Sequence, residues 1–387
     1  MRVVREEASG GSLTQHFEIT PVRVVSVEAL DNGTLQVEAL SSSGALLILP
    51  IWGLLRLAAQ VARLPRSQRA ALTRWANLIE GPTATDESSD APPAALAAQA
   101  FGFGQVSEDG DVICGRNGHL FLGQGTNRVK ELYGLPPRDL PERWAELFHR
   151  RAEALAARGC RYAQIVLPEK SSALRWFCPF DVAGPSPLMQ EVLTSAACVL
   201  DGTKGSLVSV DFGDALQEAI DCFQLRDSHL STEGARRVVV QVMNALDLSF
   251  DEPTLEFEDR LLRGDLAGRF AGDQRELVRL ATRVSFAGRS SHPVVVDSVD
   301  PSSGHKGMRR VWKNAAAPFP HRVVAMANSF FERGGASTQL SWWFSHLFAE
   351  FHFCWDPELD EDYVSKVSPD IVICQTIERF LRAVPAQ

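Results

Sequence analysis

Apolar and polar positions alternate with a period of two over residues 17–49, in "FEITPVRVVSVEAL", the turn "DNG", "TLQVEAL" and, after "SSSG", "ALLILP". A period of two puts one residue class on each face of a strand. Asn32-Gly33 between β-prone runs predicts a hairpin, because the primed turns need positive φ. The spacing changes to three and four in "GLLRLAAQVARL" (53–64) and "SQRAALTRWANLIEG" (67–81), which predicts helices. The stretch 81–95, "GPTATDESSDAPPAA", has nothing to bury and reads as a linker. Residues 1–80 therefore form an expected N-terminal unit of β-hairpin and helices, and 96–387 a second domain.

Beyond the linker, short apolar runs alternate with helical patterns. "RWAELFHRRAEALAARG" (143–159), "PLMQEVLTSAA" (187–197), "GARRVVVQVMNAL" (234–246) and "ASTQLSWWFSHLFAEF" (336–351) read as helices. "YAQIVLP" (162–168), "SLVSVDF" (206–212), "HRVVAMA" (321–327) and "PDIVICQ" (369–375) read as strands. This order predicts an α/β fold, a parallel sheet with helices on both faces, whose function gathers at the carboxyl ends of the strands.

Composition narrows the classes. With 387 residues, 45% hydrophobic and 22% charged, the chain is globular and long enough for two domains. A net charge of -9 argues against a nucleic-acid partner. The seven cysteines are scattered and never in a C-x-x-C pair, so neither a disulfide framework nor a metal site is expected. The start "MRVVREEASGGSLTQHFEI" has no apolar h-region, which gives a cytoplasmic expectation. The apolar window 44–55 is broken by Pro50 and falls short of the ~20 residues of a membrane span.

Two strand ends carry candidate chemistry. In "RVVAMANSFFERGG" (322–335) the strand runs into Asn328-Ser329, a place where a hydroxyl stands above the sheet and backbone N–H groups can meet an oxyanion. In "LRDSHLSTEGARR" (225–237), Asp227 and His229 lie two apart, so in extended backbone both project to one side and the carboxylate can orient the imidazole as a base. The competing reading is local: Ser231 or Thr232 followed by Glu233 is a helix start, and Asp227 could serve the same turn.

Six pieces, in order over 110–381, resemble the SGNH-hydrolase-like domain of the alginate O-acetyltransferase (AlgX and AlgJ) type. They are "GRNGHLFLG" (115–123), "IVLPEKSSAL" (165–174), "RDSHLSTEGA" (226–235), "RGDLAGRF" (263–270), "VVAMANSFF" (323–331) and "SPDIVICQTIERFL" (368–381). Asp and His precede the Ser, the reverse of ordinary SGNH esterases. The chain departs from the pattern at Leu230, where an aromatic usually follows the His, and at Ala327-Asn328 before the Ser.

The resemblance implies an SGNH/flavodoxin-like sheet and a Ser329, His229, Asp227 triad that transfers an acyl group, expected to be acetyl, to a carbohydrate or glycan hydroxyl through an acyl-serine. A carbohydrate esterase with the same triad and a non-catalytic glycan-binding or scaffold protein are the alternatives. Asn328 and Asn314 are candidate oxyanion donors, and Lys170 and Arg379 candidate substrate contacts, Lys170 with a solvated loop side chain and Arg379 with a structural pairing to Glu378 as the other readings. Trp342 or Trp343 could face a sugar, with core packing as the plainer role. Relatives are exported and take acetyl from a membrane partner; without an export signal the expected donor is acetyl-coenzyme A, with no bound cofactor. "GHKGMRRVWK" (304–313) offers Arg309 and Arg310 for its phosphates, with a solvated basic loop as the alternative.

Overall fold

A computed structural model describes residues 101–387, except 201–202, 204, 214–218, 273–274 and 387, together with five strands between residues 2 and 50. Contacts divide the chain into two units, Met1–Ala95 and Leu96–Gln387.

In the first unit β1 (Arg2–Ser9) pairs antiparallel with β2 (Ser12–Glu18). Strands β3 (Arg23–Ala29), β4 (Leu35–Leu40) and β5 (Leu46–Pro50) form an antiparallel meander, with Ala29 opposite Leu35; the turn expected at 31–33 lies outside the described residues. The helices expected at 53–64 and 67–81 and the linker at 81–95 lie outside the described residues.

The second unit opens with the short antiparallel pair β6 (Val112–Cys114) and β7 (Leu120–Leu122). There follow α1 (Leu140–Ala157), β8 (Arg161–Leu167), the single turn α2 (Lys170–Ala173), α3 (Pro187–Leu200), β9 (Gly205–Ser209) and α4 (Thr232–Ala245). An antiparallel insertion comes next: β10 (Thr254–Leu262), β11 (Glu276–Phe286) and β12 (Arg289–Ser290), then β13 (Val294–Val299) and β14 (Arg309–Lys313). The chain closes through β15 (Phe319–Ala327), α5 (Leu340–Leu347), β16 (Phe348–Trp355), α6 (Glu361–Val367) and β17 (Ile371–Ile377).

One seven-stranded sheet organises this unit, in the order β13-β14-β16-β15-β17-β8-β9. The five strands from β16 to β9 are parallel; β14 and β13 extend that edge antiparallel. Parallel strands are covered on both faces and read as continuous apolar runs, as "RVVAMA" and "IVIC" do. Val166, Val324, Met326, Val372 and Cys374 share one core with α1, α3 and α6, including Trp144, Phe148, Leu188 and Val364. The residues of opposite parity, Ile165, Val323, Ala325 and Ile373, are equally buried. Helices α4 and α5, which pack on each other and on β8, β9 and β16, supply the second cover.

One expected helix is half wrong. Of 336–351, only Leu340–Leu347 is helical, and Phe348–Trp355 is strand β16. Leu340, Trp343, Phe344, Leu347, Phe348 and Phe351 keep a helical spacing, but Phe351, Phe353 and Trp355 alternate. The vacant place between β14 and β15 decides between them, since it pairs β16 on both edges. The insertion 254–313, with its hairpins, was not expected from the apolar pattern.

Candidate active site

Strand β15 ends at Ala327, and the turn that follows is built by Asn328, whose Oδ1 accepts the N–H of Phe330 at 3.1 Å. The bonds Phe331 N–H to Asn328 O and Leu340 N–H to Phe330 O fold the segment back toward α5. Ser329 is left partly exposed at the carboxyl edge of the sheet. Its backbone N–H and the Nδ2 of Asn328 have no hydrogen-bond partner among the described residues, so both are available to an oxyanion.

The imidazole of His229 faces this hydroxyl, Nε2 lying 2.8 Å from Ser329 Oγ. Its Nδ1 lies 2.6 Å from Asp227 Oδ1, which also accepts the His229 backbone N–H at 2.9 Å. The sequence therefore brings together the three residues it singled out. The competing helix-cap reading is assigned elsewhere: Ser231 caps α4 through a bond from Gly234 N–H, and Glu233 pairs with Arg236 and Arg237. Phe330 backs the imidazole, ring centroids 4.8 Å apart.

Asp227 and His229 sit in irregular backbone, so their position needs other groups. The ammonium of Lys170, buried just after β8, donates to three carbonyls of that segment: Gln224 at 2.7 Å, Leu225 at 3.0 Å and Asp227 at 2.9 Å. From the amide side, the Glu276 carboxylate accepts Leu225 N–H at 2.9 Å and Arg226 N–H at 2.8 Å. Asp265 accepts the N–H and the hydroxyl of Ser228, both at 2.7 Å, and gives its own N–H to Asp227 Oδ2 at 2.9 Å. The approach of this last segment is tight: a Cβ on Gly264 would meet Arg226 O at 2.1 Å, so only glycine lets Asp265 come this near.

These contacts set the charge states. Burial alone would push the Asp227 carboxyl up, but the hydrogen bond and charge of His229 and the amides of Asp265 and His229 hold it well below the usual carboxylate range. Burial pushes the Lys170 ammonium down to about 8, while Glu276, Asp227, Asp265 and Glu169 oppose the shift. Burial raises Glu276, against the amides of Arg226 and Leu225 and the charge of Lys170.

Several expected site residues have other roles. Lys170 is 2% exposed and its donors go to main-chain carbonyls, so it positions the base and does not reach a substrate. Arg379 pairs with Glu169 at 2.9 Å in the interior, not with Glu378, which accepts Glu169 N–H and Ser172 Oγ–H. Arg379 also lies over the Phe330 ring, 5.7 Å from its centroid, behind the imidazole. Asn314 is no oxyanion donor: its Nδ2 donates to Ser291 Oγ and to the carbonyls of Ser345 and His346, at the far end of α5. The stretch 304–313 is not a free basic loop. Arg309 to Lys313 form β14, Arg309 pairs with Asp297, Arg310 with Asp300, Lys313 with Glu350 and Lys306 with Asp356.

Asp227, His229 and Asp265 place one ligand atom each within 4.8 Å of one another. Their oxygens already accept N–H and O–H groups, and a hydrogen-bond network accounts for the cluster. No helix among the described residues is long and apolar enough to cross a membrane.

No family model and no curated protein matches the sequence. Solved structures do. PatB1 of Bacillus cereus with a sulfonyl adduct is similar over 70% of this chain and 96% of that one, at 13% identity and a TM-score of 0.50. The O-acetyltransferase domain of Pseudomonas putida AlgJ aligns over 70% and 92%, at 13% identity and 0.43. Pseudomonas aeruginosa AlgX aligns over 70% and 66%, at 15% identity and 0.39. The likeness is one of fold, a mostly parallel α/β sheet covered by helices.

Proposed function

We propose that the second unit is a serine O-acyltransferase that moves an acyl group, acetyl first among them, to a carbohydrate hydroxyl. The observation that carries this reading is the continuous array from Asp227 through His229 to Ser329, at 2.6 and 2.8 Å, at the carboxyl edge of the sheet. An O-acetyltransferase domain, that of Pseudomonas putida AlgJ, is among the similar folds.

In the first step Ser329 Oγ attacks the acyl carbon of an ester or thioester while His229 Nε2 takes its proton. The bond to the leaving group breaks, and that group departs with the proton from the imidazolium. Asp227, kept ionised, stabilises the imidazolium and holds its tautomer. The N–H of Ser329 and Nδ2 of Asn328 are the free donors closest in sequence to the developing oxyanion. In the second step His229 deprotonates a sugar hydroxyl, which attacks the acyl-serine and regenerates Ser329. Water in that place would make the protein an esterase.

The donor belongs to the class of activated acyl compounds, and acetyl-coenzyme A is the proposed member. With the cations of 304–313 paired, its phosphates are assigned no site. The test is incubation with a fluorophosphonate probe, then with acetyl-coenzyme A or p-nitrophenyl acetate and a panel of oligosaccharides. The expected results are a mass shift on the peptide holding Ser329 and acetylated sugar dependent on Ser329. Absence of both the shift and any Ser329-dependent ester cleavage would overturn the reading in favour of a non-catalytic glycan-binding protein.

A further inference from the structure

Along α5, from Gly335 ahead of its first turn to Ser345 and His346 in its last, lies a cavity of about 310 Å³ that the chemistry above does not use. The indoles of Trp312 and Trp342, the imidazoles of His292 and His346, Thr282 and Arg283 line it, and Gly335 stands at one end. Its size is that of the smallest ligand pockets, ~300 Å³, room for a single ring.

The cavity is joined to the site by short links. Gly335 belongs to the segment between Ser329 and α5. Two residues on, the buried Ser337 Oγ accepts the N–H of Ala281, the neighbour of Thr282, and meets Thr232 Oγ1 at 2.9 Å. Thr232 begins α4, three residues after His229. The cavity wall and the base thus share one hydrogen-bonded junction.

The two adjacent tryptophans divide their roles. Trp343 is buried and donates its indole N–H to Ser337 O at 2.8 Å. Trp342 turns the other way and is half-buried. It is braced edge-on by Trp343, centroids 5.0 Å apart, and by His346 at 4.4 Å, and its indole N–H has no hydrogen-bond partner among the described residues. Trp312 is likewise fixed, stacked on Phe351 at 5.6 Å. Braced indole faces next to a free N–H and an exposed imidazole suit a ligand with apolar C–H faces and hydroxyl edges. A phosphate would call for several convergent cations, and Arg283 is the single guanidinium or ammonium of this lining. An acyl chain would require an apolar slot, and Thr282, Ser291 and Ser345 are among the lining residues.

We propose that this cavity is a carbohydrate subsite, in which a pyranose ring stacks on Trp342 and holds the acceptor glycan while another of its residues presents a hydroxyl to Ser329. The acceptor role rests on the proposed function; the binding does not.

The experiment uses the full chain carrying Ser329→Ala, so that binding is read without turnover, on an array of neutral, N-acetylated and uronic-acid oligosaccharides. At least one class is expected to bind. Adding Trp342→Ala should weaken it at least tenfold and His292→Ala about threefold, while Trp342→Phe, which keeps an aromatic face, should retain most of the affinity and the wild-type melting curve. An empty array, or affinity unchanged by Trp342→Ala, overturns the subsite. With Ser329 intact, Trp342→Ala should leave p-nitrophenyl acetate hydrolysis within twofold and raise the KM for the glycan at least tenfold. A protein that binds through Trp342 but never cleaves the ester would sink the transferase reading and leave the subsite standing.

Discussion

The nucleophile and its base reach the same point by opposite means. Ser329 is placed by regular structure, being the second residue past a central strand whose neighbours β16 and β17 fix its height and direction. Asp227 and His229 lie in a loop closed by the single bridge Phe223–Leu230, and side chains from distant elements complete its support: Lys170 on its carbonyls, Glu276 and Asp265 on its amides. The difference teaches where precision is stored. A strand end is accurate because the whole sheet resists its movement, whereas a loop closed by one bridge depends in addition on a few buried charges keeping their state. Damage to the first should be chemical; damage to the second should be chemical and structural together.

The largest expected effect is on the sheet side. Ser329→Ala should lower ester cleavage by on the order of 10⁴-fold or more, with the urea midpoint unchanged, because the hydroxyl contributes little to packing. A surviving rate would name another nucleophile. On the other side, Lys170→Met strips the donors from three buried carbonyls. We expect a loss of about 2–4 kcal/mol in urea denaturation. A roughly hundredfold slower fluorophosphonate labelling of Ser329 should accompany it, the scale of a 1 Å misplacement. Slowed labelling without a stability change would show that the two sides do not differ as described.

The pH dependence sharpens the contrast. Lys170 is held near 8 in the fold and titrates at about 10.4 when unfolded. The sign follows from these values: below pH 8 the buried charge costs stability, and that cost fades as pH rises toward 10.4. The clamp moves the other way, since deprotonation removes a donor from the three carbonyls. Labelling of Ser329 should therefore fall above about pH 8, and Lys170→Met should remove that limb. At the acid end, Asp227 sits below the usual range when folded, so its contribution is present above about pH 4 and is lost as pH falls further. A melting series from pH 6 to 3 reads it.

Smaller still is Asp265→Asn, which keeps a hydrogen-bonding group against Ser228 but removes a charge 3.5 Å from His229 Nδ1; about a tenfold lower rate with intact folding is expected. The smallest effect is predicted for Arg309→Ala with Arg310→Ala. Their partly exposed pairs with Asp297 and Asp300 lie outside both placements, so stability should change by less than about 1 kcal/mol and labelling by less than twofold. A large drop in thiol release from acetyl-coenzyme A in this variant would return the basic stretch to the site.

What the sequence disclosed follows the same division. The nucleophile strand, the D-x-H pair and the parallel sheet were legible because each is local: an apolar run, a spacing of two, an alternation of elements. Lys170 could be seen but not interpreted, for its partners are main-chain carbonyls 54 to 57 residues away that carry no residue-type signal. Glu276 was invisible for the same reason, its acceptors' partners being amides about 50 residues earlier. Asp265 lay inside a recognised motif, yet only the bare Gly264 beside it hinted at a close approach. Asn314 lies away from the site, and Arg379 is in the structural ion pair expected of it but with Glu169 in place of Glu378, because side-chain polarity does not say at which end of a strand or helix a group is satisfied. The β16 error has another origin, two periods coexisting in one aromatic run.

The order of the strands governs when activity can arise during synthesis. The sheet grows outward from β8 to β9 and from β15 to β16, and β17, translated last of these strands, fills the place between β8 and β15. Until residues 371–377 have left the ribosome, the strand that bears Ser329 and the strand that anchors Lys170 have no common neighbour. Nascent chains halted before this point should lack the strand that joins the two halves of the sheet. Such a topology is dominated by pairings distant in sequence, which fold slowly. Activity should consequently appear as a late, single event after release of the C-terminal segment.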